Sequence, residues 1–280
     1  MNTQVISADG TAIGYGLLGE GPAVVLIQGA MGSAHNFKDL AAILAEQFKV
    51  VVPDRRGRGA SPHAYGPDYG VRTEVEDLDA LLQATGATRV FGLSSGALIG
   101  LAAAREIPSI EKLAIYEPPL FLDAAPTDML ARLEREVAEG RMAAALITGM
   151  QGAQLGPSFL NLIPRGALEF LTGMAIARDS RAPGEYVPMR DLAPTLRFDF
   201  RLVCEMSATV DTFRDIECDL LLLGGSKSPA YLKAGLDALA SAVPRARRVE
   251  FAGLNHGAAW NADRGGHPDK VAPALREFLS

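Results

Sequence analysis

The chain has 280 residues, 48% hydrophobic and 21% charged, with 27 basic against 33 acidic side chains and a formal charge of −6. That balance offers no general positive field for a phosphate backbone, which excludes nucleic acid as an expected partner. The apolar share is enough to bury a sizeable core and argues against extensive disorder. No apolar run approaches the roughly 20 residues of a membrane span, and Met1–Gly10 carries neither the basic residue nor the apolar stretch of a signal peptide. A soluble, cytoplasmic protein is expected.

In chain order, Gln4–Ser7 and Thr11–Leu17 read as a hairpin around Asp9-Gly10. Ala23–Ile27 (AVVLI) is a short β-branched run of the kind found in buried parallel strands. Phe37–Phe48 places Phe37, Leu40, Ala41, Leu44 and Phe48 on one helical face. A strand over Lys49–Val52, a helix over Thr73–Ala84, a strand over Arg89–Leu93, a helix over Ala97–Arg105 and a strand over Lys112–Tyr116 follow. The same rhythm returns with a strand at Asp219–Leu223, a helix at Ala230–Val243, a strand at Val249–Phe251 and a helix at Pro268–Leu279. Strands alternating with helices of this length predict an α/β fold with a mainly parallel, twisted sheet flanked by helices.

The middle, about Leu120–Asp215, breaks this rhythm. It has helical periodicity (Met129–Ala138, Met142–Met150, Leu168–Ala177, Phe198–Met206), no convincing strand, and punctuation by Pro126, Pro157, Pro164, Pro183, Pro188 and Pro194. A helical insertion between two strands is the simplest account. Cys204 and Cys218 have neither metal-ligand spacing nor a disulfide framework and read as buried thiols. The one basic cluster, Arg245, Arg247 and Arg248, reads as a solvated strand entry.

The strongest chemical signal is Gly92-Leu93-Ser94-Ser95-Gly96, with a strand running in and a helix leaving. A strand–turn–helix elbow strains its central residue and needs small neighbours on both sides. Only Ser94 has glycine at both −2 and +2, so it is the expected nucleophile; the bland alternative is a serine capping a βα turn. A serine hydroxyl needs a base within hydrogen-bond reach. Of the four histidines, His256 lies on Gly253–Gly257, directly after the last strand, at the sheet edge where open α/β folds keep their sites. His35 could line that site, and His63 and His267 read as surface residues. The glycine-containing turn Gln28–Gly32 can offer the N–H of Ala30 to a developing oxyanion, with a second N–H from Ser95.

These features together resemble the α/β-hydrolase family. They are the Gln28-Gly29 turn, Asp54-Arg55-Arg56-Gly57-Arg58-Gly59 after the next strand, the Gly92–Gly96 elbow and the Gly253–Gly257 histidine loop, in the family's order. The resemblance implies an α/β-hydrolase fold, with a core over 1–120 and 216–280 and a helical cap over 121–215. It implies hydrolysis of esters, lactones, thioesters or amides with no cofactor and no metal. Many relatives carry His where this chain has Gln28. Relatives also commonly carry an aspartate after the strand matching Asp219–Leu223, where this chain has Ser228 and no nearby carboxylate. Certain lactonases and dehalogenases of the family take the acid from the strand after the nucleophile, which points to Glu117, with Asp123 as fallback. Asp54 and Arg55 are expected to brace their turn, and Trp260 either packs beneath the histidine loop or lines the pocket.

The expected activity is therefore a serine esterase or lactonase with Ser94, His256 and Glu117 as its triad. It would act on a small to medium, moderately apolar substrate. The insertion's apolar residues (Phe121, Leu122, Met150, Phe159, Leu160, Phe170, Met174, Met206) are expected to form mostly its own core, a few facing the cleft. Two rivals stay open: a C–C or C–O lyase or natural-product cyclase on the same fold, and a non-catalytic small-molecule-binding relative. A small-molecule substrate is the expected partner, with no nucleic acid and no membrane, and a homodimer left open.

Overall fold

The computed structural model describes residues 3–156, 162–180 and 185–280. Eight strands form one sheet: β1 (Thr3–Ile6), β2 (Ala12–Leu18), β3 (Ala23–Ile27), β4 (Lys49–Pro53), β5 (Arg89–Leu93), β6 (Lys112–Tyr116), β7 (Asp219–Gly225) and β8 (Arg247–Phe251). Their order is β1-β2-β4-β3-β5-β6-β7-β8. β1 and β2 are antiparallel, as the Asp9-Gly10 turn predicts, and every pairing from β3 to β8 is parallel. The central strands are apolar on both faces because both faces are covered. One face carries α2 (Val71–Thr85), α3 (Ser95–Glu106) and α9 (Ala230–Ala242); the other carries α1 (Lys38–Leu44) and α10 (Pro268–Leu279). Among the described residues no helix is long and apolar enough to cross a membrane.

Between β6 and β7 the chain forms α4 (Thr127–Ala138), α5 (Met142–Gly152), α6 (Arg165–Asp179), α7 (Met189–Leu192) and α8 (Leu196–Met206), with no strand among the described residues. Pro126, Pro164 and Pro188 stand immediately before α4, α6 and α7, and Pro194 lies in the short turn leading into α8. Each sits where a missing N–H costs nothing. Pro157 and Pro183 lie outside the described residues. The two ends of the insertion are tied by Ala208 N–H donating to Phe121 O at 2.8 Å.

Several expectations need correction. The helix expected over Phe37–Phe48 is a 3-10 turn at Ala34–Phe37 and a shorter α1. Phe48 is still buried, but in the turn after the helix, where the backbone of Gly19 comes against the carbonyls of Ala45 and Phe48. Apolar spacing is thus satisfied by a turn residue as well as by a helix. Helix α7 is too short for periodicity to reveal it. The insertion's core is Leu130, Leu133, Val137, Ala145, Leu196 and Phe200, not most of the residues expected. Of those, Met206 is buried and Phe121 and Met150 are half-buried, whereas Leu122, Phe170 and Met174 are exposed. The last two sit on α6, an outer helix with only Leu168 buried. Phe159 and Leu160 lie outside the described residues. Arg247 and Arg248 fall within β8 instead of before it, and Arg248 pairs with Asp237. Cys218 is buried as expected, while Cys204 is only half-buried.

Candidate active site

The carboxyl ends of β3, β5 and β6 and the loop after β8 meet at one edge of the sheet. Ser94 follows β5 with φ +57° and ψ −123°, a backbone conformation that L-residues rarely adopt. The glycines on either side explain how it is held. A Cβ on Gly92 would lie 2.4 Å from Gly96 O, and one on Gly96 would lie 2.3 Å from Ile27 O. Neither position can take a side chain while the elbow stays closed. Gly29 packs as tightly from the first turn, since its Cβ would come within 2.7 Å of Ser94 Cβ. Ser94 N–H donates to Tyr116 O at 2.9 Å, joining the elbow to the end of β6.

Glu117, the next residue, is fully buried and also has positive φ, +47°. Its N–H donates to Leu223 O at 3.1 Å, and its Oε1 accepts from Gly225 N–H at 2.6 Å. Its Oε2 lies 2.8 Å from His256 Nδ1. An ionised carboxylate only accepts, so Nδ1 carries the proton of this bond and a neutral imidazole presents Nε2 as acceptor. Gly224-Gly225, at the end of β7, make room for this pair. A Cβ on Gly224 would lie 3.1 Å from Glu117 Oε1, and one on Gly225 would lie 2.3 Å from Leu254 O in the histidine loop. Tyr116 OH donates to Asn255 O at 2.9 Å, tying β6 to that same loop.

Of the sequence candidates, Ser94, Glu117 and His256 all sit at this edge. The described hydrogen bonds join His256 to Glu117 and none joins it to Ser94; such contacts often tighten only with substrate bound. Asp123 is exposed on the linker after β6. His63 and His267 are exposed as expected. His35 instead lines an open depression of about 720 Å³ with Lys38, Glu185 and Tyr186, which includes none of the three candidates. Trp260 is half-buried against the core cluster that α1 and α10 share with Leu254, Ala258 and Ala259 around the histidine loop. Gln28 is fully buried, and its Nε2 donates to Pro53 O at 2.7 Å, fastening the first turn to β4. Asp54 braces as expected: its Oδ1 accepts from Ala34 N–H at 2.7 Å and its Oδ2 from Ala60 N–H at 2.9 Å.

Sequence reasoning did not single out Asp199, on α8. Its Oδ1 accepts from Ser95 Oγ at 2.6 Å and from Arg55 Nη1 at 2.8 Å, and its Oδ2 from Arg58 Nη2 at 2.6 Å. Arg55 also forks onto Glu74 at 2.7 and 3.2 Å. Arg58 Nη1 donates to Gly29 O at 2.7 Å and to Gly32 O at 3.0 Å. All of these charged side chains are buried. Burial opposes the charged form of Asp199, but the charges of Arg58 and Arg55 and the Ser95 hydrogen bond outweigh it and hold the carboxyl below its ordinary range. Glu74 is likewise held low against its burial, by Arg55 above all. The sequence signal was available: Asp199 lies on the same helical face as Leu196, Leu202 and Val203, all apolar and buried.

A mainly parallel sheet with an antiparallel start, a strained strand–turn–helix elbow and a helical insertion after β6 define an α/β hydrolase. The sequence profile described as "Alpha/beta hydrolase family" matches residues 24–274, and the chain belongs to that family. It is similar to the crystal structure of an α/β hydrolase from Sphaerobacter thermophilus DSM 20745 (33% identity, 99% of this chain and 100% of that one, TM-score 0.78). It is also similar to an enol-lactonase from Burkholderia xenovorans LB400 (22% identity, 99% of each chain, TM-score 0.70), a likeness of fold alone. The uncharacterized hydrolase YraK of Bacillus subtilis (strain 168) is 33% identical over 138 residues, 48% of this chain and 51% of that protein. The match thus spans about half the length of that curated relative.

Proposed function

We propose that the chain is a serine hydrolase of small to medium, moderately apolar esters or lactones, working through an acyl-enzyme on Ser94. In this reading His256 Nε2 takes the Ser94 proton as Oγ attacks the carbonyl carbon, and Glu117 orients and stabilises the imidazolium that forms. The N–H groups of Ala30 and Ser95 hold the tetrahedral oxyanion, His256 returns the proton to the leaving oxygen, and water then cleaves the acyl-enzyme. Residues 121–215 serve as the cap over this edge.

The observation that carries the reading is the 2.8 Å bond between a fully buried Glu117 and His256, at the sheet edge where Ser94 is held in a strained elbow. Support for an apolar acyl group comes from the insertion's core cluster, against which Ala30 and Met31 pack directly.

The test is labelling with a fluorophosphonate, read by intact mass and peptide mapping, on wild type, Ser94→Ala and Glu117→Ala. Stoichiometric modification at Ser94, absent in Ser94→Ala and much slower in Glu117→Ala, is the expected result. A folded wild type that takes up no label would overturn the serine-hydrolase reading and favour non-covalent chemistry or a binding role.

A further inference from the structure

We propose that Asp199 is a positioning residue for the oxyanion hole, fixing both of its donors from a helix that belongs to the insertion. The inference rests on the serine-hydrolase reading above and adds to it a residue outside the triad.

The first donor is reached through Ser95. Ser95 is the first residue of α3, so its N–H is one of the first-turn donors that no intrahelical carbonyl can take. Asp199 Oδ1 accepts from its hydroxyl at 2.6 Å. With the side chain anchored and the residue buried, the rotation that would swing this N–H away from the elbow is blocked.

The second donor is reached through Arg58. The Gly29 carbonyl and the Ala30 N–H belong to one planar trans peptide unit, so they point in opposite directions. Arg58 Nη1 holds Gly29 O at 2.7 Å, beside a longer bond of 3.3 Å from Gly32 N–H within the turn, and this sets the direction of Ala30 N–H on the far side of that plane. Among the described hydrogen bonds none uses the Ala30 N–H. Arg58 is in turn held by Asp199 Oδ2 at 2.6 Å, and Arg55, also on Asp199, reaches Gln28 O at 3.2 Å. The peptide that must not flip is thus clamped by an arginine whose counter-charge comes from α8. Four buried charges (Arg55, Arg58, Glu74, Asp199) would be an expensive way merely to dock a helix, since apolar side chains do that at no desolvation cost.

The experiment separates positioning from plain structural support. Asp199→Asn, Arg58→Lys and Ser95→Ala are titrated to completion with a fluorophosphonate to count competent sites. kcat per titrated site and KM are then measured on a p-nitrophenyl ester, together with the Ki of a boronic acid whose tetrahedral adduct uses the same donors. Asp199→Asn is expected to keep its titratable sites, lose about 10²–10³-fold in kcat per site with KM little changed, and weaken the boronate in parallel. Ser95→Ala, which leaves both arginine pairs intact, should lose about tenfold. Fewer titratable sites with an unchanged kcat per site would mean a structural role and overturn the proposal. Should Asp199→Asn fail to fold, Arg58→Lys and Ser95→Ala decide, and kcat per site within twofold of wild type in both would overturn it. A wild type that takes no label is a different outcome, in which the underlying hydrolase reading falls.

Discussion

Glu117 Oε2 and His256 Nδ1 are 2.8 Å apart, though 139 residues separate them in the chain. The pair is made at the ends of β6 and β8, on either side of β7, and β7 is what allows it. Of its last residues, Gly224 leaves space for a carboxylate arriving from the neighbouring strand and Gly225 for the backbone of the histidine loop, and Gly225 N–H binds that carboxylate's other oxygen. Three residues further on, the buried hydroxyl of Ser228 has no hydrogen-bond partner among the described residues.

Glu117→Gln is the sharpest test of that arrangement. The amide is isosteric but can donate to His256 Nδ1, which would place the imidazole proton on the wrong nitrogen, and it cannot stabilise an imidazolium. kcat on a p-nitrophenyl ester should fall by about 10²–10⁴-fold with KM nearly unchanged. Asp123→Asn, a change on the exposed linker, should alter kcat less than twofold. Steady-state kinetics of the two variants side by side checks both.

The glycine cradle predicts an asymmetry in stability. A Cβ on Gly225 would meet Leu254 O at 2.3 Å and Asn255 N at 2.8 Å, both backbone atoms that cannot turn aside. Gly225→Ala should cost about 2 kcal/mol or more through strain and displace the histidine loop, lowering stability and turnover together. Gly173 lies within α6 with open space at its Cβ. Gly173→Ala should stabilise by about 0.5–1 kcal/mol and leave turnover unchanged. Thermal melts of both variants are the check.

The thiols should be quiet in the native state. Burial pushes the Cys218 thiol up to about 11 and raises that of Cys204 as well, so little thiolate is present near neutrality. Ellman's reagent at about pH 8 should react slowly with the folded protein and rapidly with two thiols in guanidinium chloride. Fast modification of Cys218 in the folded chain would contradict its burial.

Much of this architecture was legible because local pattern and tertiary need coincide. Ala23–Ile27 and Arg89–Leu93 match β3 and β5 residue for residue, since a doubly covered strand must be apolar over its covered length, and only Arg89, at the start of β5, is charged and half-buried. The Gly92–Gly96 elbow was legible because only glycine fits two backbone approaches under 2.5 Å. The charged network was not. Arg55 to Glu74 spans 19 residues and Arg58 to Asp199 spans 141, and nothing local to either arginine marks its partner. Glu74, Asp199 and also Asp77, whose two oxygens accept from Arg56 at 2.6 Å each, share one trait, an acidic residue on the apolar face of its helix, which reads as noise until the opposing arginines are in place. The exposed apolar residues of α6 escaped for the converse reason, because periodicity says which residues share a face and not whether that face is covered.

Asp199 and Glu74 contribute to the response to acid with one sign, and Asp77, whose carboxyl burial pushes up to about 6, contributes with the other. The carboxyls of Asp199 and Glu74 are held below their ordinary values of 3.8 and 4.5 in the folded protein by the arginines beside them. At these two groups the unfolded chain therefore binds more protons around pH 4 than the folded one, so their contribution to stability rises with pH there. The contribution is complete above the ordinary carboxylate range and is lost as pH falls through the depressed folded values, while the arginines stay charged throughout. The melting temperature should change little from pH 7 to 5 through these groups and drop steeply below about pH 4. Asp199→Asn leaves two buried guanidinium groups short of a counter-charge, which should cost about 3 kcal/mol near neutrality, or about 5 °C in Tm for a chain of 280 residues. With one depressed carboxyl gone, the variant's Tm should fall less steeply than wild type in the acid limb, so the two curves converge as pH drops. Melts of wild type and Asp199→Asn across that range measure the difference directly, and parallel curves would mean that the Asp199 carboxylate contributes nothing to the acid response.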